Sequence, residues 1–133
     1  MTRYVIDASV AVEYLLRTPL GVSVAGMIES ASLVAPELMD AEVLSVLRRA
    51  VLNGRLEESR ARMVVEDLAH WPVDRIAHRA LAPLAWRYHR NVSAYDAFYV
   101  AAARAHDLPL LTADGRLTRA SGLGVVVQHV HIG

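Results

Sequence analysis

The chain has 133 residues, of which 54% are hydrophobic and 21% charged, and its formal net charge at pH 7 is zero. This length and composition predict a single domain, residues 1–133, with a sizeable hydrophobic core. All 14 basic residues are arginine and cysteine is absent. A P-loop or Schiff-base lysine, a disulfide and a thiolate site are therefore excluded.

Strand-like and helical patterns alternate along the chain. Short apolar runs predict four strands, at residues 4–6, 32–36, 108–112 and 124–132. Helical apolar spacing, bounded by proline and Asn-Gly signals, predicts six helices, at residues 9–17, 21–30, 36–54, 56–71, 74–89 and 93–107. The alternation predicts an α/β fold in which helices cover both faces of a parallel sheet.

The N-terminal apolar run is too short for a signal peptide and is interrupted by Asp7. No stretch approaches the roughly 18 uncharged residues that a membrane-spanning helix needs. The sequence therefore predicts a soluble protein, and the absence of cysteine fits a cytoplasmic one.

Two acids follow predicted strands. Asp7 comes directly after the strand at 4–6, and Asp114 comes shortly after the strand at 108–112. Functional sites of open parallel sheets lie outside the carboxyl ends of the strands, which gives both acids a common location. The structural alternatives are a helix cap for Asp7 and an Asx-turn for Asp114.

A third acid, Asp96, lies at the start of the helix predicted at 93–107. Ser93 three residues earlier forms a capping-box arrangement with it, which is the structural alternative. The same helix carries an apolar face that predicts close packing of the helix, formed by Tyr95, Phe98, Tyr99 and Ala102.

The helix at 36–54 offers further acids. Glu37 is a typical first-turn acid. Asp40 and Glu42 flank the buried stripe of this helix on opposite sides at similar angles, so periodicity leaves both open as candidates. If three or four carboxylates converge at the sheet edge, they repel one another unless a hard cation lies among them. Mg²⁺ suits such a set because it prefers oxygen ligands.

Four segments together carry a family resemblance, namely "VIDASV", "EVLSVLRR", "YDAFYVAAA" and "LLTADGRL". In this order and spacing the chain resembles a PIN-domain ribonuclease of the VapC toxin type. The resemblance implies a PIN-like three-layer α/β/α sandwich whose mostly parallel sheet has about five strands. It also favours Glu42 over Asp40, because the family's acid directly precedes the Val-x-x-Val-Leu stretch.

Carried onto this sequence, the resemblance implies a catalytic cluster of Asp7, Glu42, Asp96 and Asp114 that holds Mg²⁺ or Mn²⁺. Ser9 and Thr112 lie where the family places small hydroxyl groups beside the site. The implied activity is metal-dependent hydrolysis of RNA phosphodiester bonds, with 5′-phosphate products, by the toxin of a type II toxin–antitoxin module.

The binding partners of the chain are predicted partly from its residues and partly from the family resemblance. Arg116 lies two residues after Asp114, which makes it the candidate for a phosphate contact. The resemblance implies a cognate VapB-type antitoxin and a homodimer. Trp71 and Trp86 are candidates for exposed aromatic contacts, with core packing as the alternative.

Two other interpretations remain at this point. One is a catalytically inactive PIN-like scaffold that binds RNA or protein. The other is a haloacid-dehalogenase-like phosphatase, which also begins with an aspartate at a strand end. That class needs a second acid two residues later, where this chain has Ser9.

Overall fold

The computed structural model describes residues 2–132 of the chain. Its strands are β1 Arg3–Ile6, β2 Ser32–Pro36, β3 Val73–Ile76, β4 Leu110–Thr112 and β5 Val127–His129. Its helices are α1 Ala8–Leu16, α2 Pro19–Glu29, α3 Leu38–Leu52, α4 Glu58–His70, α5 His78–Trp86, α6 Ala94–His106 and α7 Gly115–Arg119. Within the described residues, no helix is long and apolar enough to cross a membrane.

The five strands form one sheet in the order β3-β2-β1-β4-β5, and every neighbouring pair is parallel. β1 is the central strand, with Val5 opposite Val34 of β2 on one side and Leu110 of β4 on the other. From β1 the chain builds the sheet outward through β2 and β3, then returns to add β4 and β5 on the other side. The carboxyl end of β1 is therefore the topological switch point, where such sheets place their functional sites.

Two groups of helices complete the layers. α6 lies on β1, β2 and β4 and packs against α5, while α1 and α3 contact the sheet and carry α2 and α4. The central strand is buried on both faces, since Val5 and Ile6 have no exposed surface. The predicted α/β/α sandwich around a five-stranded sheet is confirmed, and the sheet is parallel throughout.

One predicted element is wrong. The helix expected at 74–89 is the edge strand β3 followed by α5, which begins at His78. Val73 and Ile76 are spaced three apart, which is a helical spacing, since side chains on one face of a strand are spaced two apart. Pairing with β2 decides the outcome, because Leu33 lies opposite Val73 and Pro36 opposite Ile76. The short helix α7 was not predicted.

The connection between α1 and α2 explains why α2 begins at Pro19, two residues earlier than the helix predicted at 21–30. Arg17 ends α1 in the left-handed region with φ of 54°, and its N–H bonds back to Glu13 and Tyr14. Thr18 then caps α2 by accepting a hydrogen bond from the Gly21 N–H at 3.0 Å. Pro19 is thus the first residue of α2, a position that proline favours.

We expect Gly21 to be required for this connection. A Cβ placed on Gly21 would lie 1.9 Å from the Glu13 carbonyl oxygen, whereas a Cβ on Gly26 in the same helix meets no atom within 4 Å. Gly21→Ala should lower the free energy of unfolding by about 2–3 kcal/mol through overpacking. Gly26→Ala, the matched control, should raise it by about 0.5–1 kcal/mol. Urea unfolding measures both, and equal effects would contradict the close approach.

Candidate functional site

Asp7 follows the last residue of β1 and is 7% exposed. Its backbone N–H donates to the Leu111 carbonyl of β4 at 3.2 Å, which extends the pairing of the two strands. Its carboxylate caps α1 by accepting from the Val10 N–H at 3.2 Å, and it accepts from the Ser9 hydroxyl at 2.5 Å. Burial raises the pKa of Asp7, and the charge of Asp96 adds to this rise. The cap and the site candidate are therefore the same carboxylate.

Asp114 occupies the corresponding place after β4. It caps α7 by accepting from the Arg116 N–H at 2.9 Å, and the Arg116 guanidinium binds its carboxylate at 2.7–3.2 Å. This hydrogen-bonded ion pair lowers the pKa of Asp114. Asp114 therefore remains ionised at the rim of the sheet edge, with a guanidinium beside it.

Two hydroxyl groups join the turns after β1 and β4. The Ser9 hydroxyl, which donates to Asp7, accepts from the Ala113 N–H at 2.9 Å. The Thr112 hydroxyl accepts from the Asp114 N–H at 2.9 Å and lies 3.4 Å from the Ser9 oxygen. Ser9 and Thr112 thus fix the distance between the two acid-bearing turns.

Asp40 and Glu42, which periodicity could not separate, have different surroundings. Asp40 is bound by the Arg75 guanidinium at 3.0–3.3 Å, which links α3 to β3. Glu42 instead accepts a 2.6 Å hydrogen bond from the hydroxyl of Tyr99. Burial and the bond to Glu42 raise the pKa of Tyr99, so its hydroxyl stays protonated and donates. Glu42 is therefore the acid of α3 that α6 holds toward the sheet edge.

Asp96 lies in the first turn of α6, where its N–H donates to the Ser93 hydroxyl at 3.2 Å. Burial raises the pKa of Asp96, and the negative charge of Asp114 raises it further. The prediction that the apolar face of this helix is packed is wrong for Tyr95, whose side chain is 62% exposed. Tyr99, on the same predicted face, is buried. Helical periodicity gave the direction of Tyr95 but not whether another element covers it.

All four predicted acids line one cleft of about 280 Å³ at the carboxyl ends of β1 and β4. Ser9 and Arg116 also line it, and so do Ser45 and Arg49 of α3 and Tyr99 of α6. Within residues 2–132, no three acidic or histidine side chains are close enough to enclose an ion. Asp7, Glu42 and Asp114 are each turned toward a protein donor instead.

Tyr99 and Arg49 are site residues that the sequence analysis missed. Tyr99 lies three residues after Asp96, one helical turn away, which is the available signal. Arg49 follows Glu42 by seven residues on α3, two turns along the same face. Both signals become specific only once the face of each helix toward the cleft is known.

A family model described as "PIN domain" matches residues 4–123 of the chain. The chain belongs to the PIN domain family.

Curated relatives of this PIN-domain chain cover nearly its whole length. Ribonuclease VapC1 of Mycobacterium tuberculosis (strain ATCC 25618 / H37Rv) is 39% identical over 132 residues, which are 98% of this chain and 99% of the relative. Ribonuclease VapC12 of the same strain is 32% identical over 126 residues, 95% and 98% of the two chains. The resemblance to VapC toxins is thereby confirmed.

A solved structure has the same PIN fold. VapBC2 from Rickettsia felis, bound to a DNA fragment from their promoter, matches with a TM-score of 0.63 and 10% identity over 96% of this chain and 98% of that chain. At this identity the match supports the fold alone. Membership of the PIN family leaves no support for the haloacid-dehalogenase alternative.

We predict that Asp7→Asn stabilises the metal-free protein at neutral pH. A carboxyl whose pKa is raised by folding contributes stability below its ordinary pKa of 3.8 and loses it as pH rises through the folded-state pKa. Ionised Asp7 is therefore destabilising at pH 7. Asparagine keeps an oxygen for Ser9 and Val10 without the charge.

Thermal unfolding in a metal chelator should show a melting temperature a few degrees higher for Asp7→Asn than for wild type at pH 7. The difference should vanish as the pH approaches 3.8. Asp74→Asn, at an exposed position of β3, is the control and should change little. An unchanged or lower melting temperature for Asp7→Asn at pH 7 would show that burial of the charge is not costly.

Proposed function

We propose that the chain is a metal-dependent endoribonuclease, the toxin of a type II toxin–antitoxin module, that hydrolyses RNA phosphodiester bonds. The observation that carries this proposal is the convergence of Asp7, Glu42, Asp96 and Asp114 on one cleft. The four acids come from four segments that are far apart in sequence. The relatives VapC1 and VapC12 are named ribonucleases, which supports RNA as the substrate.

The chemistry of the donor set suits Mg²⁺ or Mn²⁺, although within residues 2–132 no three of these side chains stand close enough to enclose the ion. The donor set consists of carboxylate oxygens, with neither thiolate nor imidazole among the four acids, and hard divalent cations prefer such ligands. Burial raises the pKa values of Asp7 and Asp96, which supports a cation as the partner that their ionised carboxylates lack in the protein alone. A bound cation would neutralise this charge, activate a water molecule and polarise the scissile phosphate.

The protein's own groups have separate tasks in this proposal. Tyr99 orients Glu42, and Ser9 with Thr112 holds Asp7 at a fixed distance from Asp114. Arg116 stands at the rim with its guanidinium largely exposed, where it can bind a phosphate oxygen of the RNA. The 3′ oxygen is the leaving group, so the products carry 5′-phosphates.

Cleavage should depend on Glu42 and not on its neighbour Asp40. We expect Glu42→Gln to lower Mg²⁺-dependent cleavage of total bacterial RNA at least about 100-fold, since even residues that only orient metal ligands reach this cost. Asp40→Asn should keep the cleavage rate and lose about 1–2 kcal/mol of stability, because it weakens the bond to Arg75.

A chelator should abolish cleavage by the wild type, and added Mg²⁺ or Mn²⁺ should restore it. The inactive-scaffold alternative predicts no metal-dependent cutting by either variant or by wild type. A loss of cleavage in Asp40→Asn equal to that in Glu42→Gln would contradict the assignment of Glu42.

We further propose two protein partners, a VapB-type antitoxin and a second copy of the chain. Exposed apolar side chains support protein contacts. Leu44 and Leu52 line an apolar groove of about 410 Å³ between α3 and α4, and Trp86 is 70% exposed. Trp71, by contrast, is half-buried and stacks on Tyr14 with ring centroids 5.2 Å apart. That residues 1–133 form one PIN domain stays a prediction.

Light scattering after size-exclusion chromatography should give the mass of a dimer for the antitoxin-free protein. Leu52→Glu tests whether the α3–α4 groove is the antitoxin surface. We expect it to weaken binding of the co-expressed antitoxin without changing this dimer mass. The mass of a single chain for wild type would contradict the homodimer.

A further inference from the structure

We propose that a second groove beside the acidic cleft binds the nucleotide next to the scissile phosphate, with its base stacked on Tyr95 and its phosphate bound by Arg119. This inference rests on the proposed nuclease function and adds a substrate subsite to it. The groove is lined by Glu42, Asn91, Val92, Ser93, Tyr95, Asp96, Arg116, Leu117, Arg119 and Ala120.

The groove is continuous with the acidic cleft. Both are lined by Glu42, Asp96 and Arg116, so an RNA strand that leaves the acids on this side enters the groove directly. Its volume is about 590 Å³, within the range of sites that take small ligands. One wall is the start of α6 and the opposite wall is α7.

Tyr95 supplies an aromatic surface on the α6 wall. The side chain is 62% exposed, although an aromatic residue in the first turn of a packed helix would normally be covered. In the described part of the chain no other aromatic ring stacks on it. It adjoins Asp96, so a base stacked on Tyr95 belongs to a nucleotide beside the acids. Exposed aromatic rings are the usual platforms for unpaired RNA bases.

Arg119 supplies the positive charge on the α7 wall. Arg116 is paired with Asp114, and Arg119 takes part in no ion pair within residues 2–132, so Arg119 offers a further positive charge for the neighbouring phosphate. One of its guanidinium nitrogens lies 3.0 Å from where a Cβ on Gly115 would stand, so the side chain folds back over the start of α7. Arg119 lines the groove, where its charge is available to a phosphate.

The far end of the groove is fixed before any ligand binds. The Asn91 side-chain amide donates to the Ser121 carbonyl at 3.0 Å, which ties the α5–α6 loop to the segment after α7. Gly122 has a φ of 73°, and a Cβ there would lie 2.9 Å from the Asn91 nitrogen. This close contact keeps the two walls at a set separation, which lowers the cost of ordering a bound nucleotide.

The combination of side chains favours a nucleotide over an apolar peptide. The groove pairs an aromatic face with an arginine, and it opens onto carboxylates that have a separate role in the reaction. The exposed aliphatic residues Leu44 and Leu52 lie in another groove, between α3 and α4.

The test measures binding and cleavage separately. The probe is a mixed-sequence single-stranded oligoribonucleotide that carries 2-aminopurine, whose fluorescence is quenched when the base stacks. In the Asp7→Asn background, which we expect to abolish cutting, Tyr95→Ala should weaken binding about 10- to 100-fold and remove the quench, while Tyr95→Phe keeps both. Arg119→Ala should reduce the slope of log Kd against log salt by about 0.7, as expected for one phosphate of a single strand.

Controls lie outside the groove. Trp86→Ala removes an exposed aromatic ring, and Arg3→Ala removes an exposed arginine at the opposite end of β1. Neither should change binding. In the cleaving enzyme, Tyr95→Ala should raise KM more than it lowers kcat.

The outcomes separate this proposal from the nuclease proposal. One outcome is that wild type cleaves while Tyr95→Ala keeps the KM, the fluorescence quench and the affinity of wild type. That outcome would contradict the nucleotide subsite but not the nuclease proposal, and the groove would then be a candidate contact surface for a protein partner. If wild type does not cleave but the quench is present and requires Tyr95, the groove binds RNA and the catalytic proposal fails.

Discussion

The carboxylate of Asp7 is buried at the end of the central strand, and the rest of the site is arranged around it. An ionised carboxylate in such a place is costly unless hydrogen-bonded and neutralised. Ser9 and Val10 supply hydrogen bonds, but the charge that acts on the pKa of Asp7 is that of another acid, Asp96, which raises it. The metal-free protein thus holds unfavourable electrostatic energy that its apolar core offsets, as is common where function and stability compete.

The acids that line the cleft also shape the fold. Asp7 caps α1, Asp114 caps α7 and Asp96 lies in the first turn of α6. The positive ends of α1 and α6 therefore meet at the cleft, which stabilises carboxylates there. A structural explanation of each acid and a functional one are compatible, because the same oxygen can accept from a backbone N–H and also bind a cation through its second lone pair.

The sequence revealed the parts of this arrangement that depend on local pattern. β1, β2 and β4 are short buried apolar runs, and the acids after β1 and β4 follow from chain order. β3 could not be distinguished from a helical turn, because its pairing with β2 decides its conformation. Asp40 and Glu42 were equivalent by periodicity; the family resemblance favoured Glu42, and in the structure their distant partners Arg75 and Tyr99 separate them physically. The exposure of Tyr95 likewise depends on which elements happen to cover it.

The order of strands in the sheet has a consequence for synthesis of the protein. β1 is made first, yet its neighbour β4 comes about a hundred residues later, and the turn after β4 carries Asp114. Chains emerge from the ribosome N-terminus first. A nascent chain that has reached α5 carries Asp7 and Glu42 but neither Asp96 nor Asp114, so it cannot form the acidic cleft. The acidic cleft thus stays incomplete on the ribosome until the turn after β4 has been translated.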